Sequence, residues 1–175
     1  MSQLKVNSLI PVSGVPSGGG GGIIQIKQTV KTDITTGTFS GTNYVDVCTV
    51  DITPTSSSSK ILVSCSISVD TSGNHNATVG QFFRGSTAIC KADVSSSMTR
   101  GSFALSISPI AFKLPLFSMQ FLDSPSTSSA VTYKISIQDG NGDGANYFIN
   151  RGSSSPDGAN NALGVSMITV MEVSA

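Results

Sequence analysis

The chain has 175 residues, 38% of them hydrophobic, with 18 glycines and only 11% charged residues, against roughly a quarter in a typical soluble domain. A chain of this length accommodates one domain with a sizeable core. Formal net charge is zero and Lys and Arg form no cluster, which removes nucleic-acid binding, because that requires several cations on one face to displace counterions.

Ser, Thr and Asn supply most of the polarity, so the surface is polar but weakly charged. Such a surface suits packing against other subunits, where each buried charge would carry a desolvation cost. Trp is absent and Glu172 is the sole glutamate. With Glu absent elsewhere and Lys and Arg scarce, the usual fillers of exposed helix faces are largely missing. Ser, Thr, Val and Ile favour strands and turns instead.

Along the chain, residues 1–22 form a separate piece. Leu4, Val6, Leu9 and Ile10 make a short apolar stretch, broken by Pro11, Gly14 and Pro16 and followed by the run Gly18 to Gly22. Five glycines span about 12 Å r.m.s. as a flexible coil. The apolar stretch is too short for a core of its own and too apolar to prefer water, so an arm that docks on a partner is expected. No charged segment followed by an apolar one opens the chain, and no run is long enough to cross a membrane as a helix. The expectation is a protein made in a cytoplasm and not secreted by a signal.

From residue 23 the pattern has period two. Ile24, Ile26 and Val30 alternate with Gln25, Lys27, Thr29 and Lys31. Between Val45 and Ile52 the apolar parity switches from 45 and 47 to 48, 50 and 52, and a β-bulge near Val47-Cys48 would do that. Ile61, Val63, Cys65, Ile67 and Val69 alternate with serines at 64, 66 and 68; Phe103, Leu105 and Ile107, then Phe117, Met119 and Phe121, repeat the pattern. Val131, Tyr133, Ile135 and Ile137 do so again, with Tyr133 inward by parity. Each run reads as an antiparallel strand with one wet face.

In the last run, Leu163, Val165, Met167, Met171 and Val173 lie on one side, and Ile168 and Val170 on the other. That strand is either central in the fold, or its second face meets another subunit. Gly, Pro, Ser and Asp clusters punctuate the runs, and eight to ten short strands predict an all-β fold. The expected architecture is an antiparallel, jelly-roll-like β-sandwich at residues 23–175 behind an extended N-terminal arm.

Little in the sequence suggests catalysis. His75 is the lone histidine, in a turn-like stretch with no nucleophile elbow beside it. Cys48, Cys65 and Cys90 have no metal-ligand spacing, and their odd number argues against a disulfide framework; Cys65 reads as a buried free thiol. Asp139, Asn141 and Asp143, with Gly140, Gly142 and Gly144 between and after them, match the first half of a calcium loop. Asn150 stands where the closing bidentate Glu belongs, so an ordinary turn is the expectation and calcium the alternative. Gly18 to Gly22 lacks the Lys-Ser/Thr of a phosphate loop. Tyr44 and Tyr147 are candidate surface aromatics for a glycan. No cofactor is expected.

Several stretches together resemble a known group. They are Leu4-Lys5-Val6-Asn7, Pro11-Val12, Gly14-Val15-Pro16 and Ile23-Ile24-Gln25-Ile26-Lys27-Gln28, then Ile52-Thr53-Pro54-Thr55-Ser56-Ser57-Ser58 and Lys60-Ile61-Leu62-Val63. Leu122-Asp123-Ser124-Pro125-Ser126-Thr127, Thr132-Tyr133-Lys134-Ile135 and Ile168-Thr169-Val170-Met171-Glu172-Val173 complete the set. This wording is similar to small virion proteins of marine tailed phages, cyanophages especially; residues 70–115 diverge from it. The resemblance implies a non-enzymatic tail-fibre or other virion structural protein, attached by its N-terminal segment with the sandwich outward. It also implies a homo-oligomer, a trimer by analogy with phage fibres, contacting a second virion protein and a host-surface glycan or protein. The alternatives are a head-decoration protein that binds no receptor, and a calcium-dependent glycan-binding module.

Overall fold

The structure, a computed structural model, describes residues 22–72, 77–105, 114–153 and 162–174. Among these residues the chain is all-β, with eleven strands and no helix: β1 (Ile23–Lys31), β2 (Thr35–Thr38), β3 (Val45–Ile52), β4 (Lys60–Thr71), β5 (Thr78–Arg84), β6 (Thr87–Ile89), β7 (Phe103–Ala104), β8 (Leu116–Asp123), β9 (Val131–Asp139), β10 (Asn146–Ile149) and β11 (Ser166–Val173). That is one strand more than the upper expectation of ten; β2, β6, β7 and β10 have four residues or fewer, too few to show alternation in sequence.

Two antiparallel sheets pack face to face as a β-sandwich. The first runs β1-β11-β4-β10-β2 with β8 also on β4; the second runs β3-β9-β5-β6 with β7 also on β5. The alternating runs lay their apolar parity between the sheets. Ile61, Val63, Cys65, Ile67 and Val69 of β4, with Ile168 and Val170 of β11, face Val50, Ile52, Phe82, Tyr133, Ile135 and Ile137, and all are buried. Phe117, Met119 and Phe121 of β8 pack on the edge of this core. Each fully buried aliphatic side chain here contributes about 1.5–3 kcal/mol relative to exposure.

The parity switch in β3 is a bulge, as expected. Asp46 pairs with Ser136 and Cys48 with Ile135, leaving Val47 without an opposite residue. Val47 and Cys48 are consequently both buried in succession.

Strand β1 departs from the one-wet-face expectation. Its apolar residues Ile26 and Val30 point outward and are about half exposed, whereas Ile24, Gln25, Thr29 and Lys31 are the half-buried ones. The cause is register: Ile26 lies opposite Met171 and Val30 opposite Met167, while Thr29 lies opposite the buried Ile168. Because Lys27 and Thr29 lie opposite the inward Val170 and Ile168, Ile26 and Val30 fall on the other side.

One end of the sandwich is closed by two buried carboxylates. Glu172 is fully buried on the inward side of β11. Its Oε2 accepts from Gln25 Nε2 at 2.7 Å, and its Oε1 accepts from the Thr55 backbone N–H and hydroxyl at 2.7 Å each. Gln25 also donates to the Thr53 carbonyl at 2.7 Å, so one side chain ties β1, β11 and the β3–β4 loop. Burial pushes the Glu172 carboxyl up, but the hydrogen bonds from Gln25 and Thr55 outweigh it and hold the group below the usual carboxylate range.

Beside it, Asp123 of β8 accepts from Arg84 Nη1 at 3.1 and 2.9 Å and from the Tyr133 hydroxyl at 2.7 Å. This joins the first sheet to β5 and β9 of the second. Burial, then the Asp123 carboxylate, pushes the Tyr133 phenol well above its ordinary value.

The carboxylate at 172 has a measurable signature. Its folded-state pKa is depressed, so the unfolded chain binds the proton first as pH falls. The stabilisation is therefore present above the usual carboxylate pKa and is lost as pH drops through the folded value. Glu172→Gln removes charged acceptors and should cost about 1.5–3 kcal/mol at neutral pH. Thermal melts between pH 5 and 3 should show a smaller loss of Tm for this variant than for the parent chain.

Candidate interaction surfaces

The sandwich has two unlike ends. At the closed end, Gly22 and Ser174 are bonded to each other, Gly22 N to Ser174 Oγ at 3.0 Å and Ser174 N to Gly22 O at 3.0 Å. The register puts the 53–59 and 124–130 loops at this same end, since Val173 lies opposite Lys60, Asp123 opposite Ile61 and Val131 opposite Ile52. The connections 32–34, 39–44, 72–77, 105–115, 140–145 and 150–165 all start and finish at the opposite end.

The candidate calcium residues lie at that loop end. Asp139 closes β9 and is fully buried; its Oδ1 accepts from Asn141 N at 3.1 Å, the local turn bond that Asp favours. Asn141 and Asp143 stand exposed on the turn, which passes through positive φ at Gly142 (68°) and Gly144 (83°). The structure thus separates one buried carboxylate from two exposed side chains. Among the described residues, no group of three or more His, Cys, Asp or Glu side chains is placed to hold a metal ion.

Asn150, at the position of the missing glutamate, has a different task. It is fully buried at a φ of 65°, a left-handed backbone that Asn tolerates. Its Nδ2 donates to the carbonyls of Lys31 and Asp33 at 2.8 Å each, and its Oδ1 accepts from Ser166 Oγ at 2.7 Å. Its backbone N–H donates to the Ser68 carbonyl at 2.8 Å. One asparagine therefore fastens the end of β1 to β4, β10 and β11. At the same end of the sandwich, a groove of about 350 Å³ is lined by residues that include Thr78, Met98, Thr99 and Asn141.

The tyrosines are partly committed. Tyr147 is half-buried, 5.0 Å from the Phe39 ring, and lies so close over Gly37 that a Cβ there would meet its hydroxyl. Tyr44 stacks edge-on to Phe83 at 4.9 Å, and Lys134 Nζ sits 5.6 Å from the Phe83 ring. Tyr133 is buried, as its parity requires. All three cysteines are free. Burial pushes the thiols of Cys48 and Cys65 up to about 11 and about 12, so both are protonated and poor nucleophiles at neutral pH. Leu4, Val6, Leu9, Ile10 and His75 lie outside the described residues.

The outer faces of the two sheets differ in chemistry. On the β3-β9 side, Lys134 pairs with Asp46 at 2.9 Å, Ser136 donates to Asp46 at 2.6 Å, and Thr132 donates to Asp51 at 2.6 Å. The Gln138 amide donates to the Thr42 carbonyl. On the β1-β11-β4-β8 side the register lines up Ile26, Met171, Leu62 and Leu122 in one row across all four strands. Sequence patterning missed Asn150, Asp123 and the Glu172 hub. For Glu172 a signal existed, since it shares the inward parity of Ile168 and Val170.

Neither a scan against family models nor a search of curated proteins found a match to this chain.

Replacing Asn150 by Asp preserves size and tolerance of the left-handed backbone while removing both amide donors. Two carbonyls would lose their partner, a cost of about 2–4 kcal/mol. Chemical denaturation should report that loss, and millimolar calcium should not restore it.

Proposed function

We propose that the chain is a non-enzymatic structural subunit of a phage particle, an appendage subunit of the tail-fibre type. In this reading residues 1–22 anchor it to another virion protein, and the chain acts in the virion as a homo-oligomer, a trimer by analogy with phage fibres. The observation that carries the reading is the polarity of the sandwich. Gly22, which follows residues 1–21 in the chain, lies at the closed end bonded to Ser174, and the strand ends that flank the longer connections lie at the opposite end. A module built this way can be held at one end and present its loops at the other.

The chemistry of the chain supports a binding role over turnover. Two of the three thiols are buried and raised, the calcium-like turn splits its carboxylates, and Asn150 is used up in fastening strands. The loop end, with its groove at Thr78 and Asn141, is where a host-surface glycan or protein would be met. Many copies on one particle would let weak single contacts sum to firm attachment.

The arm is the testable part. A chain lacking residues 1–21 should keep the melting behaviour of the full chain, because the Gly22–Ser174 pairing and the Glu172 hub remain. It should fail to enter particles when supplied in place of the full chain during infection, as read by particle proteomics. Normal incorporation of the shortened chain would remove the anchoring role; incorporation with unchanged attachment to cells after loop replacement would favour a decoration protein.

A further inference from the structure

The outer face of the β1-β11-β4-β8 sheet is built as a contact surface. The row Ile26–Met171–Leu62–Leu122 crosses four strands, and next to it runs a polar row, Gln28–Thr169–Ser64–Gln120. Gln28 Nε2 caps the Thr169 hydroxyl at 2.8 Å. Val30 and Met167 are paired beyond the polar row, and Ile23 and Val173 on the other side. Ile23, Ile26, Val30 and Leu122 are 58%, 55%, 46% and 48% exposed. In strands the outward positions are ordinarily polar, so side chains of this size in a continuous row need a cover.

We infer that this face is covered by the same face of a second copy of the chain, the faces meeting around the symmetry axis of a closed assembly. Charge selects the occupant. Across the four strands the only charged residue at an outward position in register with these rows is Lys60, opposite Val173 at the margin. A basic or acidic partner would find no counter-charge, whereas a neutral face meets its own copy with no like-charge repulsion.

Size agrees. Four strands about 4.8 Å apart and eight residues at about 3.3 Å give a flat footprint of about 500 Å². Side-chain relief raises this toward the roughly 800 Å² of accessible surface per partner in a standard interface. A recess of about 340 Å³ lined by Ser64, Cys65, Ser118, Met119 and Gln120 lies beside the apolar row and can receive a projecting side chain. The opposite sheet, with its Lys134–Asp46 pair and hydrogen-bonded Asp51, lacks both neutrality and such a row. The inference rests on the homo-oligomer of the proposed reading and names its face; the anchoring by residues 1–22 is tested separately, in particles, so the two can fail independently.

Light scattering on the full chain should give a mass of two or three copies of the 17.9 kDa protein. Ile26 and Leu122 are exposed at the two ends of the row, so their replacement leaves the core untouched. The double variant Ile26→Lys/Leu122→Lys should fall to the monomer mass while melting as a cooperative sandwich, and so should Ile26→Glu/Leu122→Glu. For a parent of two copies, an equimolar mixture of the two should associate again, since opposite charges then face each other. A monomeric parent chain overturns the inference. So does an oligomer whose mass both variants leave unchanged, or, for a two-copy parent, a mixture that stays monomeric.

Discussion

The pairing of β11 with β4 is the constraint on which the rest of the molecule depends. Seven successive pairs, from Met167–Ser66 to Val173–Lys60, join them. Among the described residues β1 pairs only with β11, and β8 only with β4. The inward side of this pair supplies Ile61, Val63, Cys65, Ile67, Ile168 and Val170 to the core. The outward side supplies Leu62 and Met171 to the exposed row. Core and contact surface are thus two sides of one ladder, and a one-residue slip would exchange them.

Polar groups set the ends of that ladder. Glu172 at one end and Asn150 at the other are both fully buried, and each is spent on backbone or side-chain donors and acceptors from several segments. Buried polar groups are costly unless satisfied, so each specifies which loop lies against which strand. Apolar packing alone does not supply that information. Asp123 adds the cross-sheet link, fixing the rotation of one sheet on the other through Arg84 and Tyr133.

Much of this was legible in the order of residues. The all-β class, the two-sheet sandwich, the bulge at Val47 and the inward placement of Cys65 and Tyr133 all follow from period-two alternation and its single break. The two-faced character of the last strand was legible as well, and left open whether it is central or in contact with a subunit. The structure makes it central in its sheet with its outer face half covered. What alternation could not convey is which side of an edge strand faces in. In β1 the apolar parity is outward because β11 dictates the register. The hubs at Asn150 and Asp123 were equally hidden: a polar residue reads the same in sequence whether it meets water or a carbonyl from another strand. Asn150 in particular was read against a metal-loop pattern, while its two amide hydrogens belong to Lys31 and Asp33.

The central place of β11 has a consequence in time. Among the eleven strands it is the last to be synthesised, yet β1 and β4 both need it. At about 5–20 residues per second, a ribosome takes roughly 5–20 s to move from β4 to β11. During that interval β1 has nothing to pair with, and one side of β4 is open. Such unpaired strand sides invite wrong pairing, and pairings this distant in sequence form slowly. The chain therefore closes its first sheet only once its final strand has emerged, and its low charge gives little repulsion to keep nascent copies apart until then.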